Sequence, residues 1–588
     1  MNKIKQKIIS KHQGDSKQLE AIFSPSDRIL IEAPAGYGKT NLMVSKIAYM
    51  LVTKQIPNPK KLLALTFSVN AAYKIKKDIE QQIPELLKET GVNINIRDKV
   101  FVSNYHGLCR NVIKKYGYKF HPSLFDIDKL QSIDDSNEKH LIHLISDLSY
   151  VKLMLSYNNA VKKNNEKFLL DNLDCYNMVV INELLPKQVI TYNAILTLTI
   201  KLFDNYPKIL DFYQKYFTII FVDEYQDTNR LSYFLLQKLI TNKTKVIFCG
   251  DSLQRIYGFI GAIPNLLLES EKTFNLTRIQ LSKNYRFASN KQMLQLDLNI
   301  RRNAENPYTP KIEDNCIIDV SNYHDQETEA INIVDNAVFL TQNNPTSKVS
   351  ILVKQRGPNI NYIINTFKNK NIPYFYGLFT DEDIAYVQFH RQCLFIFIEL
   401  IKVKEQITKK IGREHIKKII EFYDTKTDSL IESLINLLNI FWKKVFSDFS
   451  FLSNEEKIFL LKDTFEHNSL KQYIEFIDTR IIISTVHAAK GLEWDFVILP
   501  DMEQDLFPNW SGLCINCNCK KDCNLVITTD NEQKFLDELS VFYVAVTRAK
   551  KKVYFTTSKT QIDNYNNKRV KNISCFLKIP GIVVNKGL

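Results

Sequence analysis

Two stretches of this chain carry the residue types that chemistry on a polyphosphate requires. The first is "ILIEAPAGYGKTNLMV", Ile29 to Val44: an apolar run, then small residues with Gly36 and Gly38, then Lys39 and Thr40 opening a helix-forming segment. A simple turn needs one glycine at most. Two of them before Lys-Thr imply that the backbone must approach something bulky and negative. In a strand–loop–helix setting, the N–H groups of Gly36 to Thr40 wrap a phosphate at the positive end of the helix. Lys39 then reaches the β- and γ-phosphates, and Thr40 holds Mg²⁺. Ala33 stands where the usual pattern has its first glycine. The second stretch is "TIIFVDEYQDTN", with Asp223 placed to hold Mg²⁺ through water and Glu224 to polarise the attacking water. Adjacent acids at the end of a buried strand are costly unless a cation or substrate offsets them. The pair of stretches implies Mg-dependent NTP hydrolysis.

These residues need a scaffold that brings strand ends together. The runs "RILIEA", "LLALTF", "IIFVDE", "KVIFCG" and "IQLSKN" are short, apolar and closed by polar or small residues, as are "SILVK", "RIIISTV", "DFVILP" and "KVYFTT" later in the chain. Buried parallel strands with helices between them have this form. The expected fold class is therefore α/β, with two doubly wound parallel sheets. The expected boundaries are 1–107 with 210–280 for the first sheet, interrupted by a helical insertion at 108–209. The second sheet takes 281–390 with 475–588 and is interrupted by a shorter insertion at 391–474.

Composition narrows the partners. The 588 residues are 45% hydrophobic and 24% charged, which is globular rather than disordered. Lys+Arg of 78 against Asp+Glu of 64 gives a net charge of +14 and favours a polyanionic partner. The amino terminus lacks the apolar core of a secretion signal, and "QCLFIFIELI" is too short for a membrane span. Ten cysteines do not make a disulfide scaffold in a chain of this size. A cytoplasmic or nucleoid-associated protein without a membrane partner is expected.

The ordered series "APAGYGKT", "DEYQDTN", "GDSLQRIYGFIGA", "NYRFASN", "STVHAAKGLEWDFV" and "YVAVTRAKKKV" resembles the motifs of UvrD/Rep/PcrA-type superfamily 1A DNA helicases. "SKQLEAI" and "LALTFSVNAA" resemble that family's Q motif and motif Ia. The resemblance covers nearly the whole chain. It implies two RecA-like P-loop NTPase lobes, ATP with Mg²⁺ as cofactor, and movement 3′→5′ along single-stranded DNA to unwind tailed duplex. It makes Ala33, Pro34, Ala35, Gly36, Tyr37, Gly38, Lys39 and Thr40 the ATP cradle, with Gln18 on the adenine edge and Glu493 near the ribose. Gln254 resembles the γ-phosphate sensor. Arg286 and Arg548 resemble the two arginines that stabilise charge on the transferred phosphoryl group. On the nucleic-acid side it assigns Phe67, Tyr257 and Phe259 to base stacking, and Thr66, Asn70, His106 and His487 to phosphates or sugars.

The sequence departs from the pattern in several places. Phe259 replaces the usual Trp, Ile260 replaces the usual Arg, and the second insertion is short. "CINCNCKKDC" places Cys514, Cys517, Cys519 and Cys523 within ten residues. Four thiols so spaced can close a Zn site; an iron–sulfur cluster or free thiols are the alternatives. The tail after "VTRA" leaves no room for the nuclease that some relatives carry, so a nuclease or repair/defence protein is expected only in trans. The competing function is a DNA-stimulated ATPase subunit of a nuclease or defence complex, without processive unwinding.

Overall fold

All nine apolar runs form strands, and they assemble into two parallel sheets. The computed structural model describes residues 2–88, 90–258, 261–380, 383–403, 406–423, 429–516, 523–562 and 567–585. By its internal contacts the chain divides into two units, Met1–Lys283 and Asn284–Leu588.

The first unit opens with helices α1 (Asn2–Lys11) and α2 (Ser16–Phe23), followed by β1 (Arg28–Glu32), α3 (Lys39–Val52), β2 (Lys61–Thr66), α4 (Val69–Leu87) and β3 (Val100–Asn104). After a small pair, β4 (Gln131–Ile133) and β5 (Val189–Thr191), come β6 (Phe217–Val222), β7 (Lys245–Gly250) and β8 (Thr277–Gln280). The sheet order is β3-β2-β6-β7-β1-β8, every pair parallel, with Leu30 opposite Phe248 and Leu63 opposite Ile220. Ile29, Leu30 and Ile31 are fully buried because helices cover both faces, so both sides of each strand are apolar. Between β3 and β6 the described chain is mainly helical and adds no strand to this sheet. A buried polar network pins that segment: Tyr176 donates to Asp135 at 2.6 Å, and Asn193 donates to both of its oxygens at 3.1 Å.

The second unit holds β9 (Cys316–Asp325), β10 (Val349–Val353), β11 (Phe375–Gly377), β12 (Ile481–Thr485), β13 (Trp494–Leu499), β14 (Ala549–Ile562), β15 (Lys568–Val570) and β16 (Ile582–Asn585). Its order is β11-β12-β10-β13-β14-β9-β16, parallel throughout, with β15 antiparallel on β14. Helices Ile384–Val403, Lys409–Phe422, Ser429–Phe446 and Asn454–Glu466 lie between β11 and β12. Contrary to the sequence expectation, the stretch Ile384–Lys402 is long and apolar enough by composition to cross a membrane. Part of that apolarity is packing: Tyr386, Phe389, Cys393, Phe397 and Leu400 form a stripe buried among the neighbouring helices, while Ile384 and Phe395 on the same helix stay exposed. Beside it His415 donates through Nε2 to the Cys393 carbonyl at 2.8 Å and accepts from Trp442 through Nδ1 at 3.0 Å.

One feature of this unit is unusual for a core. Glu329, Asp501 and Glu503 are 0%, 8% and 1% exposed and converge near the ends of β13 and β14. Asn359 donates to Glu329 at 3.1 Å and to Asp501 at 2.9 Å, and Thr556 donates to Glu329 at 2.5 Å. The second oxygen of Glu503 and the carbonyl oxygen of Asn359 are buried with no hydrogen-bond partner. Burial, with the like charge of Asp501, pushes the Glu329 carboxyl up to about 8; burial pushes Asp501 up to about 6.

Candidate active site

In the first unit, the parallel register puts the carboxyl ends of β1, β6 and β7 at one edge, where the connecting loops meet. The loop after β1 is anchored at its start, where Ala33 N–H donates to the Gly250 carbonyl at 2.9 Å. Gly36 at φ +83° and Gly38 at φ +77° then turn the chain through left-handed conformations that L side chains rarely adopt. Gly38 caps α3 with no side chain, which leaves the first amides of that helix turned toward the loop. Such amides form an anion cradle.

Across this loop stand the two acids at the end of β6. The Lys39 ammonium is 3.6 Å from Asp223 Oδ1 and ion-pairs with Glu224 Oε1. Burial works against the charge on Lys39, but Asp223 and Glu224 outweigh it and hold the ammonium above the ordinary lysine value. Asp223 shifts the other way for an ion-paired acid: burial and the neighbouring Glu224 push it up against the pull of Lys39. The two directions agree once the geometry is considered, because Lys39 sits closer to Glu224 and gives Asp223 only the longer contact. Asp223 Oδ1 is buried with no hydrogen-bond partner. A hard divalent cation takes just such an oxygen, and the Thr40 hydroxyl, beside Lys39 at the start of α3, would supply a second oxygen ligand. The residues therefore fit Mg²⁺ bound with a polyphosphate.

Glu224 has φ +50° and ψ +42°, a strained backbone for a residue with a long side chain. The strain aims the carboxylate back toward Lys39. Gln226, which sequence reasoning passed over, holds it there: its Nε2 donates to Glu224 Oε2 at 2.6 Å, while its Oε1 accepts from Asp251 N–H at 3.0 Å. Asp251 in turn accepts from Gln254 Nε2 at 2.7 Å. A chain of hydrogen bonds thus joins the acid at the end of β6 to the expected phosphate sensor after β7. The sequence signal for Gln226 was its place inside "DEYQDTN". Gln18 is buried on α2, with its Nε2 donating to the Tyr37 carbonyl of the loop at 2.9 Å.

On the same unit, Thr66 is fully buried and its hydroxyl has no hydrogen-bond partner among the described residues, while Phe67 and Tyr257 stack at 5.5 Å with 22° between their rings. His106 packs edge-on against Tyr192 at 6.3 Å. Asn70 lies in the first turn of α4. Phe259 and Ile260 lie outside the described residues.

The second unit brings three of the predicted residues together. Arg286 donates to Glu493 and to the Thr547 carbonyl. Arg548, 3% exposed, donates to the Val544 carbonyl at 2.9 Å, the Leu492 carbonyl at 3.1 Å and the Thr547 hydroxyl at 3.1 Å. Thr547 is the hub, accepting from Arg286 through its carbonyl and from Arg548 through its hydroxyl. Burial, with Lys354, Lys490 and Lys471 adding repulsion, pulls His487 down to about 4, so it is neutral near pH 7.

The zinc expectation gains no support. Among the described residues, no group of three or more His, Cys, Asp or Glu side chains could hold a metal ion. The Cys514 thiol faces the Pro508 carbonyl at 3.5 Å, and Cys523 hydrogen-bonds with Cys575, a residue the linear spacing gave no reason to include. Cys517 and Cys519 lie outside the described residues.

Comparison with known proteins finds family matches in both units. The UvrD/REP helicase N-terminal domain matches residues 15–275, and the UvrD-like helicase C-terminal domain matches 388–560. Together they take in more than half of the chain. The chain belongs to the UvrD/Rep/PcrA-type helicase family. Within it, the chain is 25% identical to the ATP-dependent DNA helicase PcrA of Staphylococcus epidermidis, over 93% of this chain and 84% of that one. It is 25% identical to DNA helicase II of Rickettsia typhi, over 94% and 93%, and 24% identical to PcrA of Bacillus subtilis, over 92% and 82%. The matched N-terminal domain of this UvrD-type chain holds the Lys39, Asp223 and Glu224 cluster, and the C-terminal domain holds Glu493 and Arg548.

Proposed function

We propose that this chain is an ATP-dependent DNA helicase that moves 3′→5′ along single-stranded DNA and unwinds tailed duplex. The observation that carries the chemistry is Lys39 set against Asp223 and Glu224 across a glycine-turned loop, with Asp223 Oδ1 holding only the 3.6 Å ionic contact to Lys39 and no hydrogen bond among the described residues. The loop amides bind the β- and γ-phosphates, and Lys39 leaves its carboxylate partners to meet them. Mg²⁺, held by Thr40 and Asp223, would neutralise charge on those phosphates. Glu224, released from Lys39 but still held by Gln226, takes the proton of the attacking water. Gln254 reports the γ-phosphate through Asp251, and Arg286 and Arg548 stabilise the transferred group. Gln18 reads the adenine edge and Glu493 the ribose. Phe67 and Tyr257 stack bases, while Thr66, Asn70, His106 and His487 bond the backbone of the strand. The assignment of residues 1–107 and 210–280 to the ATP-binding lobe, and of 108–209 and 391–474 to insertions, belongs to the same reading.

Strand displacement on duplexes with 3′ or 5′ tails tests it. The 3′-tailed substrate should open with ATP and Mg²⁺, and the 5′-tailed one should not. Equal opening of both would defeat the directional claim. DNA-stimulated ATP hydrolysis with neither substrate opened would favour the regulatory-subunit reading, to which the brevity of the segment between β11 and β12 also points.

A further inference from the structure

Near the start of the chain a hydrogen-bonded relay links two residues outside the motif series, His12 and Ser45, to two within it, Gln18 and Tyr37. His12 follows α1 and is 3% exposed, Gln18 on α2 is 2% exposed, and Ser45 on α3 is fully buried. The turn Gln13–Gly14, with φ of +51° and +71°, folds α1 back so that the His12 ring reaches both other residues. His12 Nδ1 meets Gln18 Oε1, and His12 Nε2 lies 2.8 Å from Ser45 Oγ. Gln18 Nε2 donates to the Tyr37 carbonyl at 2.9 Å.

The direction of every proton in this relay is fixed by chemistry. A backbone carbonyl only accepts, so the NH₂ of Gln18 must face Tyr37 and its Oε1 must face His12. That oxygen also only accepts, so His12 carries its proton on Nδ1. Its Nε2 is then the acceptor, and Ser45 donates to it. Burial pulls His12 below the usual histidine value, which keeps the ring in this neutral form near pH 7. The order is Ser45 to His12 to Gln18 to Tyr37, from the helix that follows the phosphate loop, through the ring, back to the loop itself.

We infer that His12 is a positioning residue for base selection, because it locks the Gln18 carboxamide in one of its two orientations. The inference rests on the proposed adenine-reading role of Gln18. Locked this way, Gln18 keeps one N–H and one oxygen lone pair for a base. Adenine presents a matching acceptor and amino donor on one edge, whereas guanine presents acceptors on that edge and sets its O6 against Oε1. If His12 is removed, the amide keeps only its Tyr37 contact and turns more freely, so its match to adenine weakens, while guanine, with two acceptors on that edge, gains from neither orientation.

The test is the ratio of KM values for GTP and ATP in DNA-stimulated hydrolysis by the full chain, with kcat recorded for each. His12→Leu should reduce the preference for ATP by roughly fivefold, the worth of one neutral hydrogen bond, mainly through KM. His12→Asn puts an amide N–H near the place of Nδ1–H and should restore most of the preference. A packing role alone would not predict that rescue. Ser45→Ala removes the donor that holds His12 Nε2, leaves the ring freer to turn from Gln18, and should lower the preference in the same direction even if His12→Leu does not fold. An unchanged ratio in both His12→Leu and Ser45→Ala, with the ratio lost in Gln18→Ala, overturns the role of His12 alone. An unchanged ratio in Gln18→Ala overturns the adenine reading, and the inference falls with it.

Discussion

Replacing Glu329 by Gln should make the second unit more stable at pH 8 and flatten its dependence on pH. In the folded protein Glu329 holds its proton up to about pH 8, while an unfolded chain gives it up near the ordinary value of 4.5. Between those values the folded state therefore binds one more proton than the unfolded state. Stability is fully present below about pH 4.5, falls as pH rises, and levels off above 8. The slope is about 1.4 kcal/mol per pH unit for one such proton. From pH 5.5 to 7.5 the wild type should thus lose about 3 kcal/mol through this residue, equivalent to roughly 6 °C for a domain-sized unit. The Gln amide cannot ionise, yet its oxygen can accept from Asn359 while its nitrogen donates to Thr556, so the local bonds survive. Trp442, Trp494 and Trp510 are the only tryptophans and all lie in the second unit, so urea unfolding followed by tryptophan fluorescence reads that unit alone. His467, pushed up to about 8 against burial chiefly by Asp463, gives a loss of the same sign, but it is present in both proteins and cancels in the difference; Glu503, raised by burial and by Glu329, is relieved in the variant and flattens its curve in the same direction. Parallel pH curves for the two proteins, or a variant less stable than wild type at pH 8, would refute the argument.

Other perturbations probe the first unit. Glu224→Gln should still bind ATP but hydrolyse it at least about 10²-fold more slowly, since only proton acceptance is lost; hydrolysis at the wild-type rate would remove Glu224 from its role. Gln226→Leu should lower kcat about tenfold with little change in the KM for ATP, because the Glu224 carboxylate loses one charge-assisted bond worth about 1.5 kcal/mol; a rise in KM alone would place Gln226 in binding instead. Thr66→Val should leave the fold as stable or more so, since the buried hydroxyl has no partner to lose, and yet weaken single-strand binding measured by fluorescence anisotropy. Unchanged DNA affinity would show that the hydroxyl is only a packing residue.

Much of this arrangement could be read in the residues. β1, β2, β6 and β7 are continuous apolar runs because helices bury both of their faces, and such runs stand out. β3 and β9 were missed for the complementary reason. β9 is Cys316–Asp325, whose burial alternates and then fades, so its apolar signal is half as dense. β3 lies at the sheet edge with alternating burial, and its run "VFVSN" is short. In the site, Lys39, Asp223 and Glu224 were legible because phosphate chemistry dictates both their types and their spacing. Gln226, Thr547 and His12 were not, since nothing about a glutamine, threonine or histidine in isolation says what it will touch. Their roles come from partners such as Ser45 and Arg286, which are distant in the chain.

The order of the first sheet also sets a timetable for synthesis. β1 lies between β7 and β8, so Leu30 cannot meet Phe248 until more than 200 further residues have been made. At about 5–20 residues per second, that is a wait of roughly 10–40 s. During this interval "ILI" is an unpaired apolar strand beside a ribosome, while the helices between β3 and β6 can already pack among themselves. Nucleotide offers no help, because the acids facing Lys39 arrive with the same late segment. A cell making this protein must therefore shelter its amino-terminal strand for most of the time the first unit takes to emerge, and a pause in translation anywhere between β1 and residue 250 prolongs that exposure.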